Sequence, residues 1–132
     1  MLQVVNATYG TQVSTTSTSF VTTGFSSSIT PSSSSSKILL LMTCNGYQTA
    51  SAYDVFTVYR GATNLGDSSW GFGELYGNTG DRYGQVSCSY LDSPATTSSV
   101  TYTVYFRVTA STGYINLHTG ELSTMTLMEI AA

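Results

Sequence analysis

Between Val100 and Val108 the chain alternates without a break. Val100, Tyr102, Val104, Phe106 and Val108 fall on one side of an extended backbone, and Thr101, Thr103, Tyr105 and Arg107 on the other. A helix would scatter these five apolar residues around its circumference. A strand gathers them on one face, and that face must be covered. At about 1.5–3 kcal/mol per large buried side chain, the five supply roughly 7–15 kcal/mol before conformational entropy is counted. The alternation therefore requires a sheet with one face in a core, and the rest of the chain must supply the partner layer.

The composition is that of an all-β protein. Only 8% of the 132 residues are charged, against about 25% in ordinary soluble domains. Serine and threonine make up about a third of the chain, glycines number 12, and lysine, glutamate and glutamine are scarce. The length fits one domain, residues 1–132, large enough to bury a core without staples. Strand signals recur along it, punctuated by Gly, Asn, Asp and Pro. They fall at Leu2 to Tyr9, Ser19 to Phe25, Ser27 to Ile29, Lys37 to Asn45, Ala52 to Arg60, near Leu65, Tyr83 to Leu91, Val100 to Val108, Tyr114 to His118 and Leu122 to Ile130. The apolar run Ile38-Leu39-Leu40-Leu41-Met42 predicts a central strand covered on both faces, and Leu122 to Ile130 reads the same way. Ser32 to Ser36 reads as a flexible loop after a turn at Pro31. About ten strands without crossover helices predict an antiparallel β-sandwich, of jelly-roll type.

The scarcity of charge also bears on partners. A surface solvated by hydroxyls and amides can pack against protein without desolvating ions, which suits a permanent assembly. The net charge of −3 and four scattered cations (Lys37, Arg60, Arg82, Arg107) argue against nucleic acid. No run reaches the roughly 18 apolar residues of a membrane-spanning helix, and no signal peptide is legible. Cys44 and Cys88 each lie within a strand and read as small buried hydrophobes.

Catalytic groupings are weak. His118 is the sole histidine, and no serine stands in a nucleophile elbow. Glu74 and Asp81 form a carboxylate pair only on paper. Asp67, Asp81 and Asp92 lack the alternating acids of a calcium loop. The sequence predicts no enzyme, no cofactor and no metal. What remains is a surplus of aromatic residues. The ten tyrosines exceed what a core needs, and tyrosine favours interfaces. Phe56, Tyr59 and Tyr105 are the candidates for a contact between subunits. The glycine-rich segment from Trp70 to Arg82, with Trp70, Phe72, Tyr76, Asp81 and Arg82, is the candidate binding loop.

Five segments carry a resemblance: TSTSFVTTGFSSSITPSSSSSKILLLM from Thr16, VYRGATNLGD from Val58, SYLDSPATTSSVTYTVYFRV from Ser89, TGYIN from Thr112 and STMTLMEI from Ser123. Together, and in this order, they resemble a family of virion proteins common among tailed phages of cyanobacterial and marine hosts. The resemblance implies a jelly roll shaped like the trimeric C1q and TNF heads, which makes the contact expected of Phe56, Tyr59 and Tyr105 a trimer contact. It implies a virion structural role and brings no catalytic residues. The family's longer members carry the domain at the end of a shaft or head-binding segment, whereas here it begins near Met1. The expectation is accordingly a capsid decoration, or cement, protein: a homotrimer on the outside of the capsid, bound to the phage major capsid protein and assembled in the host cytoplasm. The alternative expectation is a tail- or head-fibre tip that recognises a host surface glycan through the Trp70–Arg82 loop.

Overall fold

A computed structural model describes residues 1–132. The chain forms eleven strands: β1 (Gln3–Tyr9), β2 (Val13–Thr15), β3 (Val21–Ile29), β4 (Lys37–Gln48), β5 (Tyr53–Arg60), β6 (Thr63–Asn64), β7 (Gly73–Tyr76), β8 (Arg82–Asp92), β9 (Val100–Val108), β10 (Gly113–Ile115) and β11 (Ser123–Ile130). All pairings are antiparallel and make two sheets.

In the first sheet β4 is central. Its full length pairs with β8 along one edge, and its other edge pairs with β11 and then β10. β1 and β2 lie outside β11 and β10. In the second sheet β9 sits between β3 and β5, and the far edge of β5 is shared by β6 and β7. Successive long strands thus alternate between layers, and the first pairs with the last. This is the strand order of a jelly roll.

The core lies between the sheets. From β9 come Val100, Tyr102, Val104, Phe106 and Val108, all buried, as the alternation predicts. The first four share one core cluster with Ile38, Leu40, Met42 and Cys44 of β4, and with Met125 and Leu127 of β11. Phe56 and Val58 of β5 complete the layer. Here one expectation is corrected. β4 and β11 are not covered on both faces: Leu39 and Met128 are half-buried on the outside, and Leu41 is 39% exposed. The apolar run on β4 hid an alternation because both of its faces carry leucine.

Four further differences have local causes. The segment read as the Trp70–Arg82 loop contains a short strand, β7, against β5, masked in the sequence by its flanking glycines. The segments from Ser19 to Phe25 and from Ser27 to Ile29 are one strand, β3, with a bulge between Thr22 and Ser26. Gly24 sits in the bulge at φ +83°, a conformation open to glycine, and the Thr23 hydroxyl donates to the Val104 carbonyl at 2.7 Å. β2 is too short to leave a periodic trace. The strand expected from Tyr114 to His118 ends at Ile115, and His118 is exposed in the turn beyond it.

The serine run is a clasp, not a slack loop. Glu129 is fully buried, and its carboxylate accepts the Ser32 amide at 2.7 Å, the Ser32 hydroxyl at 2.8 Å and the Gln3 side-chain amide at 2.7 Å. The Ser36 amide closes a turn on the Ser33 carbonyl. These donors, Gln3 foremost, hold the Glu129 carboxyl down to about 2. A second tie joins the sheets. Asp92 of β8 accepts Arg60 of β5 at 2.5 Å and the Tyr102 hydroxyl of β9 at 2.7 Å.

Asp54 is the opposite case. It is fully buried, and neither carboxyl oxygen has a hydrogen-bond partner of good geometry. Burial pushes its carboxyl well above the ordinary range, against the pull of the Tyr114 and Tyr47 amides.

Two predictions follow from the core and its acids. Val104→Asp places an unpaired carboxylate between the sheets and costs more than about 4 kcal/mol, so the protein fails to fold. Circular dichroism of the soluble fraction checks this, and native sheet content in the variant would contradict it. The acids act with opposite sign. For Glu129, stability is present above the ordinary glutamate value and is lost as pH falls toward about 2. For Asp54, stability is fully present below the ordinary aspartate value and declines as pH rises. Asp54→Asn therefore melts above the wild type at pH 7, and the gap closes in strong acid. Glu129→Gln melts below the wild type at pH 7, and its gap also closes in acid. Melting temperatures across pH 2–8 test both.

Candidate functional site

The two outer faces of the sandwich are chemically unlike. On the first sheet the outward residues fall into rows that cross the strands. One row is apolar: Val4, Met128, Leu39 and Leu91. The next holds Asn6, Thr126, Leu41 and Ser89, and the next Thr8, Thr124, Thr43 and Ser87. Within these rows hydroxyls and amides pair with each other. Asn6 donates to Thr126 at 2.8 Å, Thr43 and Ser87 share a hydrogen at 3.0 Å, and Gln85 donates to Asn45 at 3.0 Å. The far end is aromatic: Tyr47 lies 4.6 Å from Tyr83 and 5.5 Å from Tyr114, and Tyr83 stacks on His118.

Between Lys37 at one end and Asp81 at the other, no outward strand residue of this sheet is charged. Yet Val4, Leu41 and Leu91 are 51%, 39% and 49% exposed. The centre is a shallow concavity of about 590 Å³ lined by Leu41, Thr43, Ser87, Ser89, Thr124 and Thr126. Tyr47 is buried under its neighbours. Desolvation first, and then the Asp81 carboxylate beside it, push its phenol up to about 12.

The outer face of the second sheet is aromatic and cationic. Tyr59 and Tyr105 stack with centroids 3.9 Å apart, and Phe20 meets Tyr59 edge-on at 6.5 Å. The Arg107 guanidinium lies 5.7 Å from the Phe20 centroid and 5.5 Å from that of Trp70. Trp70 packs on Tyr53 at 5.2 Å, and Tyr53 on Tyr76 at 4.6 Å. Seven side chains thus form one band across β9, β5 and β7.

The loop before β7 builds part of this band. Asp67 accepts the Ser69 and Trp70 amides, each at 2.8 Å, and these bonds hold its carboxyl below the ordinary range. Gly71 has φ +55°, and a Cβ there would lie 2.3 Å from the Phe56 carbonyl oxygen. The turn can therefore lie flat on β5 only with glycine. That contact delivers Ser69 to Arg107, whose Nε donates to the Ser69 carbonyl at 2.7 Å.

Several expected site residues come together here. Tyr59 and Tyr105 are neighbours on the band, and Trp70 and Tyr76 meet across Tyr53. Phe56 does not belong with them. It is fully buried against Phe106 at 5.8 Å, so its ring has no surface to offer a second subunit. Its parity on β5 already placed it opposite Tyr59. Phe72 is half-buried against Tyr90 at 5.3 Å and closes the edge of the core. Asp81 sits by Tyr47 at the end of the other sheet, and Arg82 is exposed at the start of β8. Phe20 and Arg107 were not singled out from the sequence. The signal for Arg107 was its outward position on β9 between Tyr105 and the strand end.

Other groups have structural partners or none. Asp67 caps its loop and Asp92 ties the sheets. Cys44 and Cys88 are free thiols, and burial pushes Cys88 up to about 11 and Cys44 higher still. No three His, Cys, Asp or Glu side chains converge on a common point. Comparison with protein-family models finds no match, and comparison with curated proteins finds none either.

The loop geometry yields a prediction. Gly71→Ala forces the turn off β5, at about 1–2 kcal/mol for the left-handed backbone alone. Trp70 is the only tryptophan, so its emission should shift to the red as its ring leaves Tyr53 and Arg107. An unchanged spectrum would show that the turn tolerates a Cβ.

Proposed function

We propose that the protein is a non-enzymatic structural component of a phage particle, a capsid decoration protein that works as a homotrimer and braces the shell. The observation that carries this reading is the uncharged outer face of the β1-β11-β4-β8 sheet. An exposed set of leucine, valine, methionine and paired hydroxyls can be buried against protein without stripping water from ions. Six of its polar side chains already hydrogen-bond in pairs, Asn6 with Thr126, Thr43 with Ser87 and Gln85 with Asn45, so those lose little when solvent leaves. The ordered sequence resemblance to phage virion proteins supports the same reading.

The mechanism is mechanical. Three protomers turn the uncharged face toward a common threefold axis, each packing one part of it against a different part of its neighbour, and the ring so closed has no free contact for a fourth. The remaining surface of the trimer bridges neighbouring capsid subunits and resists expansion of the shell. Placing the self-contact on this face replaces the aromatic candidates: Phe56 is in the core, and Tyr59 and Tyr105 lie on the opposite sheet.

Leu41→Glu tests the contact, since it sets a charge at the middle of the face while leaving the core side of β4 intact. The wild type should scatter light as a trimer at micromolar concentration and the variant as a monomer with native circular dichroism. A wild-type monomer would remove the basis for the reading. Gel densitometry of purified particles tests the location. A decoration protein should approach the abundance of the major capsid protein, whereas a fibre tip would be far scarcer.

A further inference from the structure

We infer that the depression between Phe20, Tyr59 and Arg107 is a binding site for a carboxylated sugar unit of a polysaccharide. The site lies on the sheet opposite the uncharged face, so it stands whether or not the self-contact does. Its volume is about 470 Å³, and its lining is two aromatic rings, the hydroxyls of Thr18, Ser19, Ser68 and Ser69, and one guanidinium.

Each part matches one part of such a ligand. A pyranose has a face of C–H groups, which pack on aromatic rings, here the parts of Phe20 and Tyr59 that line the depression. It has a rim of hydroxyls that exchange hydrogen bonds with serine and threonine. A carboxylate on that rim takes a guanidinium with charge-assisted bonds. No carboxylate of the protein serves this purpose. The molecule's one salt bridge is Arg60 with Asp92, and Arg107 donates only to the Ser69 and Thr18 carbonyls. Those contacts, with Phe20 on one side and Trp70 on the other, fix the guanidinium before any ligand arrives. A fixed donor loses little freedom on binding.

A single fixed cation in a protein of net charge −3 is a poor site for a dense polyanion such as nucleic acid, which rewards many cations. An acidic peptide would satisfy Arg107 but would make little use of four hydroxyls beside two rings.

Trp70 touches Arg107 and is the sole tryptophan, so its fluorescence reads the site directly. The intact protein is titrated with an alginate oligosaccharide, a chain of carboxylated pyranoses, and in parallel with dextran and poly-L-glutamate. A saturable change in emission with alginate, and a much smaller response to the other two, is the expected result. Arg107→Gln should weaken alginate binding at least about tenfold, Arg107→Lys should restore part of it, and Lys37→Gln, an exposed cation on the other sheet, should leave it unchanged. Circular dichroism establishes that each variant is folded. Four results would each overturn the assignment: no alginate binding by fluorescence or calorimetry, equal binding of dextran, equal binding of poly-L-glutamate, or an equal loss in Lys37→Gln.

Discussion

The structure depends on the contact between the inward faces of β4 and β9. Ile38, Leu40, Met42 and Cys44 share one buried cluster with Val100, Tyr102, Val104 and Phe106, with almost no solvent exposure. Both strands are central, so each holds neighbours on two edges. Their packing fixes the spacing of the layers, and the outer strands inherit their register from it. The polar ties are consequences of that spacing. Asp92 can reach Arg60 and Tyr102 only because β8 and β9 are held at packing distance. An ion pair of this kind adds modest stability but a definite alignment.

With the inward faces committed, function falls to the outward ones, and the chain gives them different chemistry. On the first sheet hydroxyls and amides pair among themselves beside a row of aliphatic side chains. On the second, aromatic rings flank a cation that donates to backbone carbonyls and pairs with no carboxylate of the protein. Two such surfaces back to back suit a molecule that joins one kind of neighbour on one side and meets another kind on the other.

Much of this was legible in the residues, because period two is a strong signal wherever the two faces of a strand differ. β9 was plain for that reason. On β5 the alternation put Phe56 on the face opposite Tyr59, yet its ring was read as an interface anchor, and it lies in the core. The signal failed where both faces carry the same residue type. In β4 leucines on both sides imitated a strand covered twice. It failed again in β3, where the bulge between Thr22 and Ser26 puts a glycine among the hydroxyls and splits one strand into two apparent ones, although the in-out alternation runs through it unbroken. The site was half visible. Trp70, Tyr59, Tyr76 and Tyr105 stood out as surplus aromatics, but their convergence on Arg107 depends on the Gly71 turn folding back over β5. That contact joins distant parts of the chain and leaves no local pattern. The serine run misled because low complexity describes composition, whereas Glu129, nearly a hundred residues away, decides its structure.

The pairing of β1 with β11 constrains how the molecule comes into being. Gln3 to Tyr9 must wait for Ser123 to Glu129 to leave the ribosome. Until then β4 lacks the neighbour along one edge, and β1 has none at all. Loop closure over so long a span is slow, and partial sheets with open edges invite pairing with other chains. A charge-poor sequence has little repulsion to prevent that. The bulge in β3 and the clasp of Glu129 on Ser32 then acquire a kinetic meaning. One disfavours a straight edge for a stranger to extend, and the other locks the last strand in place as soon as it arrives.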